Sequence, residues 1–160
     1  MSLREAILYC RRSVTRFLDV GAGPGFLVAR LHELLDQPGE IVHGVEKFPP
    51  QYMIHGPNYH VGEIADMDGT FDAGVCIEVI EHLTPRMLSG IYLGLKKVSV
   101  EGSLWLFNTG MPEYVRHEDP GYLDPLGRGH VVSYSLKAAE AIFGPMGFAT
   151  TALPKRATLS

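Results

Sequence analysis

The chain is poor in several things, and each lack narrows the field. It has only two cysteines, Cys10 and Cys76. Neither sits in a metal-ligand spacing, so both read as reduced core residues. No apolar run approaches the length needed to span a bilayer, and Arg4 and Glu5 stand where a secretory leader would be apolar. The expectation is a cytoplasmic protein without membrane contact. Internal repeats and low-complexity tracts are absent. The net charge of −4 gives no global electrostatic case for DNA or anionic membranes, and Arg11, Arg12 and Arg16 form the one basic cluster. What remains is 46% hydrophobic and 20% charged over 160 residues, an ordinary globule large enough for a real core. One domain over residues 1–160 is expected.

The most informative stretch runs from Phe17 to Phe26. Residues of β character end in Asp19-Val20, and the turn Gly21-Ala22-Gly23-Pro24-Gly25 opens into a helix with Leu27, Leu31, Leu34 and Leu35 on one face. In an open α/β sheet a ligand sits beyond the carboxyl ends of the strands, against the first such turn. Glycines let backbone N–H groups approach it, because no Cβ intervenes. A dinucleotide-binding turn would read G-x-G-x-x-G, but here the third glycine comes one residue early. Asp19 would also repel a pyrophosphate, at several kcal/mol for an effective dielectric of about 20. A ligand whose nearest part is cationic suits it better. S-adenosylmethionine, with its sulfonium and α-ammonium and no phosphate, is such a ligand.

The remaining elements read as alternating strands and helices. A helix over Leu3–Val14 precedes strand one at Arg16–Val20. Strand two is Glu40–Val45 and ends in Glu46, about 20 residues past the glycine turn, where an acid holds a ribose diol. Tyr59–Val61 is strand three, and Gly62-Glu63-Ile64 follows it. Phe71–Ile77 is a near-continuous apolar run, typical of a parallel strand buried on both faces. A helix over Leu88–Val98 leads through Glu101-Gly102 to strand five at Ser103–Thr109. Gly110–Arg128, with prolines at 112, 120 and 125, is an irregular stretch of lid or binding-loop length. A helix over Ser133–Phe143, capped by Ser133 or Ser135, precedes strand six at Phe148–Leu153. Such alternation implies right-handed crossovers and a doubly wound, mostly parallel, Rossmann-like sheet.

The D-x-G-x-G-x-G turn closely resembles the first motif of class I S-adenosylmethionine-dependent methyltransferases, and the resemblance extends over about Arg16–Leu153. It implies that Asp19, Gly21, Ala22, Gly23 and Glu46 hold the cofactor. Glu63 and Ile64 would meet its adenine, although relatives more often carry Asp where Glu63 stands. The family usually finishes with a seventh, antiparallel strand between strands five and six, and nothing here has the length to provide it. Truncation, a reduced sheet or a strand from a partner would each account for this. An uncovered edge at strand five would make an edge-mediated homodimer the alternative to a monomer.

Glu78-x-x-Glu81-His82 stands at the tip of strand four, and on a helix its three polar side chains would share a face. In one reading Glu78 helps place the cofactor's amino acid moiety, Glu81 makes an internal contact and His82 packs at the substrate mouth. The run "EVIEHL" resembles many small-molecule methyltransferases in which it need not bind metal. In the other reading Glu78, Glu81, His82 and His130 bind Mg²⁺, Mn²⁺ or Zn²⁺. The resemblance there is to ubiquinone-biosynthesis O-methyltransferases and small-RNA 3′-terminal 2′-O-methyltransferases, which pair an E-x-x-E-H run with a downstream histidine. In both readings His82 and His130 are the candidates for activating the acceptor. His32, His43 and His60 read as structural; His117 reads as part of a solvated loop, with lining of the substrate site as the alternative, and Tyr114, Tyr122 and Tyr134 could stack on an aromatic acceptor.

The expected activity is methyl transfer to a hydroxyl, most simply of a small molecule, with an RNA end as the alternative acceptor. A nicotinamide-dependent oxidoreductase shares the architecture, but Asp19 and Gly25 oppose it. A catalytically silent cofactor-binding or partner-binding module is the remaining alternative.

Overall fold

A computed structural model describes residues 13–35, 38–53, 56 and 58–153. The helix expected over Leu3–Val14, together with Cys10, Arg11 and Arg12, lies almost wholly outside these residues. Five strands, β1 (Phe17–Val20), β2 (Val42–Glu46), β3 (Tyr59–Val61), β4 (Phe71–Ile77) and β5 (Ser99–Asn108), form one sheet in the order β3-β2-β1-β4-β5. Every pairing is parallel. Helices α1 (Phe26–Leu34), α2 (Pro38–Ile41), α3 (Pro85–Val98), α4 (Pro112–His117) and α5 (Leu136–Phe143) make the connections and coverings.

β1 is buried along its whole length because it is central, and alternation sends its side chains into two separate cores. Phe17 joins Val28, Val42, Ala73 and Val75 under α1. Leu18 and Val20 join Val45, Leu88, Leu95, Val98 and Phe143 under α3 and α5. Covering both faces with helices is what makes the nearly all-apolar β4 tolerable, and its one acid, Asp72, accepts the N–H groups of Thr15 and Arg16. Thr84 caps α3 by accepting the Met87 N–H, with Pro85 in the first turn.

Within the described residues the other expected strands and helices are present, with ends shifted by up to three residues and with four further differences. Glu40 and Ile41 belong to the short helix α2, so β2 starts at Val42; the preceding Pro38 favours a helical first turn. β5 starts at Ser99, and Glu101-Gly102 is a bulge inside it rather than a turn before it. Phe71 pairs Ser99 whereas Ala73 pairs Leu104, and Gly102 takes up the irregularity with φ +75°. The irregular segment contains α4, started by Pro112. Phe148–Leu153 forms no strand: after Gly147 at φ +92° the chain turns Phe148 against the Phe143 ring, 6.4 Å away edge-on, and joins no ladder. Among the described residues, then, β5 is the outer strand. The Arg16 guanidinium lies 4.4 Å from the Phe71 ring and donates to the Asp68 and Thr70 carbonyls, so it serves packing rather than a basic patch.

At Gly74, β4 is held so closely between its neighbours that a Cβ there would run into the Leu18 carbonyl oxygen of β1 and the Trp105 ring of β5. Since a backbone oxygen cannot swing aside, Gly74→Ala is expected to lower unfolding free energy by roughly 2 kcal/mol or more. Urea denaturation measures this, and a loss below about 0.5 kcal/mol would contradict the packing described.

Candidate functional site

The polar groups gather at the carboxyl ends of β1, β2 and β4, in two clusters. The first is built on the glycine turn. Gly21 and Ala22 both donate their N–H to the Val45 carbonyl, which staples the turn to β2. Gly21 has φ +72°, and a Cβ on it would strike Val79, so only glycine fits there. From the tip of β2, Glu46 reaches back: its Oε2 accepts the Gly23 N–H at 2.9 Å and its Oε1 the Phe48 N–H at 2.8 Å. The Tyr59 hydroxyl donates to the Gly23 carbonyl.

Asp19 is 5% exposed beneath this turn. Burial, and after it the charge of Glu46, push its pKa from an ordinary 3.8 up to about 7. Two carboxylates thus share one crevice wall, an arrangement that a cationic group would relieve and an anionic one would worsen. Glu63 and Ile64 sit one strand further out. Glu63 is exposed and ion-paired with Lys47, whereas Ile64 is buried against α3 at Gly94.

The second cluster starts where β4 ends. Glu78 has φ +53°, a left-handed conformation that costs a non-glycine residue about 1 kcal/mol or more. It turns the chain sharply into a single 3₁₀ turn, Ile80–His82, rather than the helix expected there. That turn puts Glu81 inside and His82 outside. Glu81 is fully buried; its Oε1 accepts the Tyr122 hydroxyl at 3.1 Å, and its Oε2 has no hydrogen-bond partner. The Glu81 carbonyl accepts the N–H groups of Val131 and Val132, which brings the neighbouring His130 to it.

Both histidines are held in the same way. His82 Nδ1 lies 3.1 Å from the Gly129 carbonyl oxygen and His130 Nδ1 lies 2.9 Å from that of Tyr122. A carbonyl only accepts, so each Nδ1 carries the proton and each Nε2 keeps a lone pair when the ring is neutral. The rings stand 4.8 Å apart, and ligand-capable atoms of Glu81, His82 and His130 lie within 4.8 Å of one another. Glu78 does not join this group. Its carboxyl is exposed and pushed up to about 7, by partial desolvation first and then by Glu81 beside it.

Of the other candidates, His32 donates to the Val42 carbonyl, His43 stacks with His60 and meets Phe71 edge-on, and His117 is an exposed residue ending α4. Tyr134 donates to the Leu83 carbonyl, and Tyr114 meets Tyr122 edge-on. A hollow of about 190 Å³ lies beside β2 and β3, and none of Asp19, Glu46, Glu81, His82 or His130 is in its wall. The residue that sequence reasoning undervalued is Tyr122, weighed there only for stacking. It is buried and bonded to both Glu81 and His130, and nothing in its spacing signals this.

No protein-family model and no curated protein matches the sequence. Solved structures do match its fold. A methyltransferase dependent on S-adenosylmethionine from Archaeoglobus fulgidus aligns with TM-score 0.65 and 23% identity, over 92% of this chain and 66% of that one. The magnesium protoporphyrin IX methyltransferase of Synechocystis, solved with bound S-adenosylhomocysteine, aligns with TM-score 0.59 and 17% identity, over 91% and 69%. The small RNA methyltransferase HEN1 aligns with TM-score 0.60 and 17% identity, over 90% of this chain and 20% of that one. The chain has the fold of S-adenosylmethionine-dependent methyltransferases, and spans about half to two-thirds of the length of several structures it matches.

The buried Asp19 makes a prediction about pH. Its folded-state pKa lies above the unfolded value, so the native form holds the proton more tightly and this group's contribution falls as pH rises from about 4 through about 7. The full difference corresponds to a penalty on the order of 4 kcal/mol above that range. Asp19→Asn, which mimics the protonated form, is expected to be the more stable protein at pH 8 by a few kcal/mol, with the advantage shrinking towards pH 4. Denaturant titrations at both pH values test it. Equal stability at pH 8 would mean that the carboxylate is already compensated.

Proposed function

We propose that the chain is an S-adenosylmethionine-dependent methyltransferase acting on a hydroxyl oxygen of a small molecule. The carrying observation is the convergence of Asp19 and Glu46 on one glycine turn, two acids whose shared wall calls for a cationic ligand and opposes a pyrophosphate. The residues fit the cofactor: Glu46 is at the β2 tip where a ribose is held, and Gly23 has open space where a Cβ would stand. When bound, S-adenosylmethionine supplies an activated methyl group. This chain's own residues would bind and orient it through Asp19, Gly21, Ala22, Gly23 and Glu46. His82 and His130, each with a bare Nε2, are placed to take the proton of an acceptor hydroxyl. Much of the rate would come from positioning, which alone can supply roughly 7–11 kcal/mol.

A second reading is metal-dependent methylation, with an RNA end as the acceptor, and it is the cation that Glu81 favours. A fully buried carboxylate with one oxygen unpartnered costs about 1–3 kcal/mol or more, unless something occupies the position it faces. Glu81, His82 and His130 form a donor set suited to Mg²⁺, Mn²⁺ or Zn²⁺. A cation held there would lower the pKa of acceptor hydroxyls.

Calorimetric titration with S-adenosylhomocysteine tests the first reading. Binding to the metal-free protein is expected, together with its loss in Asp19→Ala. No heat in the wild type, or full affinity in the variant, would overturn it. Repeating the titration with Mg²⁺, Mn²⁺ and Zn²⁺ tests the second: a cation heat that disappears in His82→Ala supports it, and no cation heat removes it. A protein that binds the nucleoside yet yields no S-adenosylhomocysteine from S-adenosylmethionine with any acceptor would be a silent module.

A further inference from the structure

Tyr122 touches the second cluster with both of its ends. Its ring is 5% exposed, although it lies in the loop between α4 and α5. The phenol oxygen accepts the Gly110 N–H at 2.7 Å and lies 3.4 Å from Thr109 Oγ1, so its own proton is directed to Glu81 Oε1 at 3.1 Å. At the other end, the Tyr122 carbonyl accepts the Nδ1 proton of His130 at 2.9 Å. One residue therefore decides which oxygen of Glu81 is engaged and which nitrogen of His130 is bare.

The surroundings are shaped for this purpose. A Cβ on Gly110 would overlap the Tyr122 ring, so glycine is required for the phenol to lie over that N–H. The Gly110 carbonyl in turn accepts the Ser133 hydroxyl at 2.6 Å, which ties the end of β5 to the segment just past His130. The hydroxyl also has a partner set that phenylalanine could not satisfy, although phenylalanine would fill the same space.

We infer that the Tyr122 hydroxyl is a positioning group that holds Glu81 Oε1 and so presents Glu81 Oε2 to a divalent cation, beside the bare Nε2 of His130. The inference rests on the cation reading of the Glu81, His82 and His130 cluster. Outer partners of this kind orient ligands, and losing one typically costs 10–100-fold in metal affinity. Tyr122 touches neither the glycine turn nor Glu46 in any hydrogen bond described, so its effect should be confined to the cation.

The test is Mn²⁺ titration by calorimetry of the wild type, Tyr122→Phe and Glu81→Gln, with S-adenosylhomocysteine titrated into each. In Tyr122→Phe, Mn²⁺ affinity is expected to fall 10–100-fold while nucleoside affinity stays within about twofold. Glu81→Gln is expected to lose the Mn²⁺ heat. Undiminished Mn²⁺ affinity in Tyr122→Phe, with the heat abolished in Glu81→Gln, would overturn the role of Tyr122 alone. Parallel loss of Mn²⁺ and nucleoside binding in Tyr122→Phe would make Tyr122 a packing residue and equally overturn it. A wild type that takes up no Mn²⁺ would overturn the cation reading and this inference together.

Discussion

The constraint on which the rest of the crevice depends is the burial of one acid beside another. Asp19 is placed by β1, the most enclosed strand of the sheet, and cannot reach solvent without breaking the central ladder. Glu46 is held facing the same crevice by two backbone N–H groups, one of them from the turn that roofs Asp19. The partners of Glu46 are backbone N–H groups and not a basic side chain, and the cost of placing the two acids together appears as the raised pKa of Asp19. A fold selected for stability alone would place an apolar residue at position 19. Retaining the acid makes sense if a positively charged ligand supplies the missing compensation.

The second cluster follows the same logic with different means. Glu81 is driven inward by the turn that begins at Glu78, and the left-handed backbone there is what lets β4 end and reverse within a few residues. The Glu78 N–H still donates to the Asn108 carbonyl, so the strained residue is held between the tips of β4 and β5. The returning loop is then fastened to Glu81 by Val131 and Val132, which delivers His130 from a distant part of the sequence. Strain at one residue is over-determined by contacts at several others, the condition under which such strain persists.

Much of this was legible in the sequence. The glycine turn, the acids ending β1 and β2, and the apolar β4 each carry a local signal that geometry translates directly. The alternation of strands and helices was readable for the same reason. The failures have physical causes. Glu101-Gly102 has the composition of a turn, but a bulge accepts the same residues, and only pairing with β4 distinguishes the two. Phe148–Leu153 has strand-like residues without a ladder to join. On a helix the i, i+3, i+4 spacing of Glu78, Glu81 and His82 would gather all three side chains, whereas one left-handed residue and a 3₁₀ turn bury Glu81, expose His82 and leave Glu78 out of the group. Tyr122 was undervalued because its importance lies in partners 8 and 41 residues away, a separation that no local pattern records.

The two clusters are mechanically linked, and this bears on how the crevice could work as a unit. Val79, directly after the strained Glu78, fills the space left by the absent side chain of Gly21. The glycine turn, which follows Asp19 and is held by Glu46, is therefore packed against the turn that carries Glu81 and His82. Packed interiors transmit small displacements because they contain few voids to absorb them. A shift of the first turn on binding a ligand would press on Val79 and, through it, on the 3₁₀ turn. The positions of Glu81 and His82 are thus coupled to Gly21 through Val79, in addition to the contacts that Tyr122, Val131 and Val132 make with Glu81.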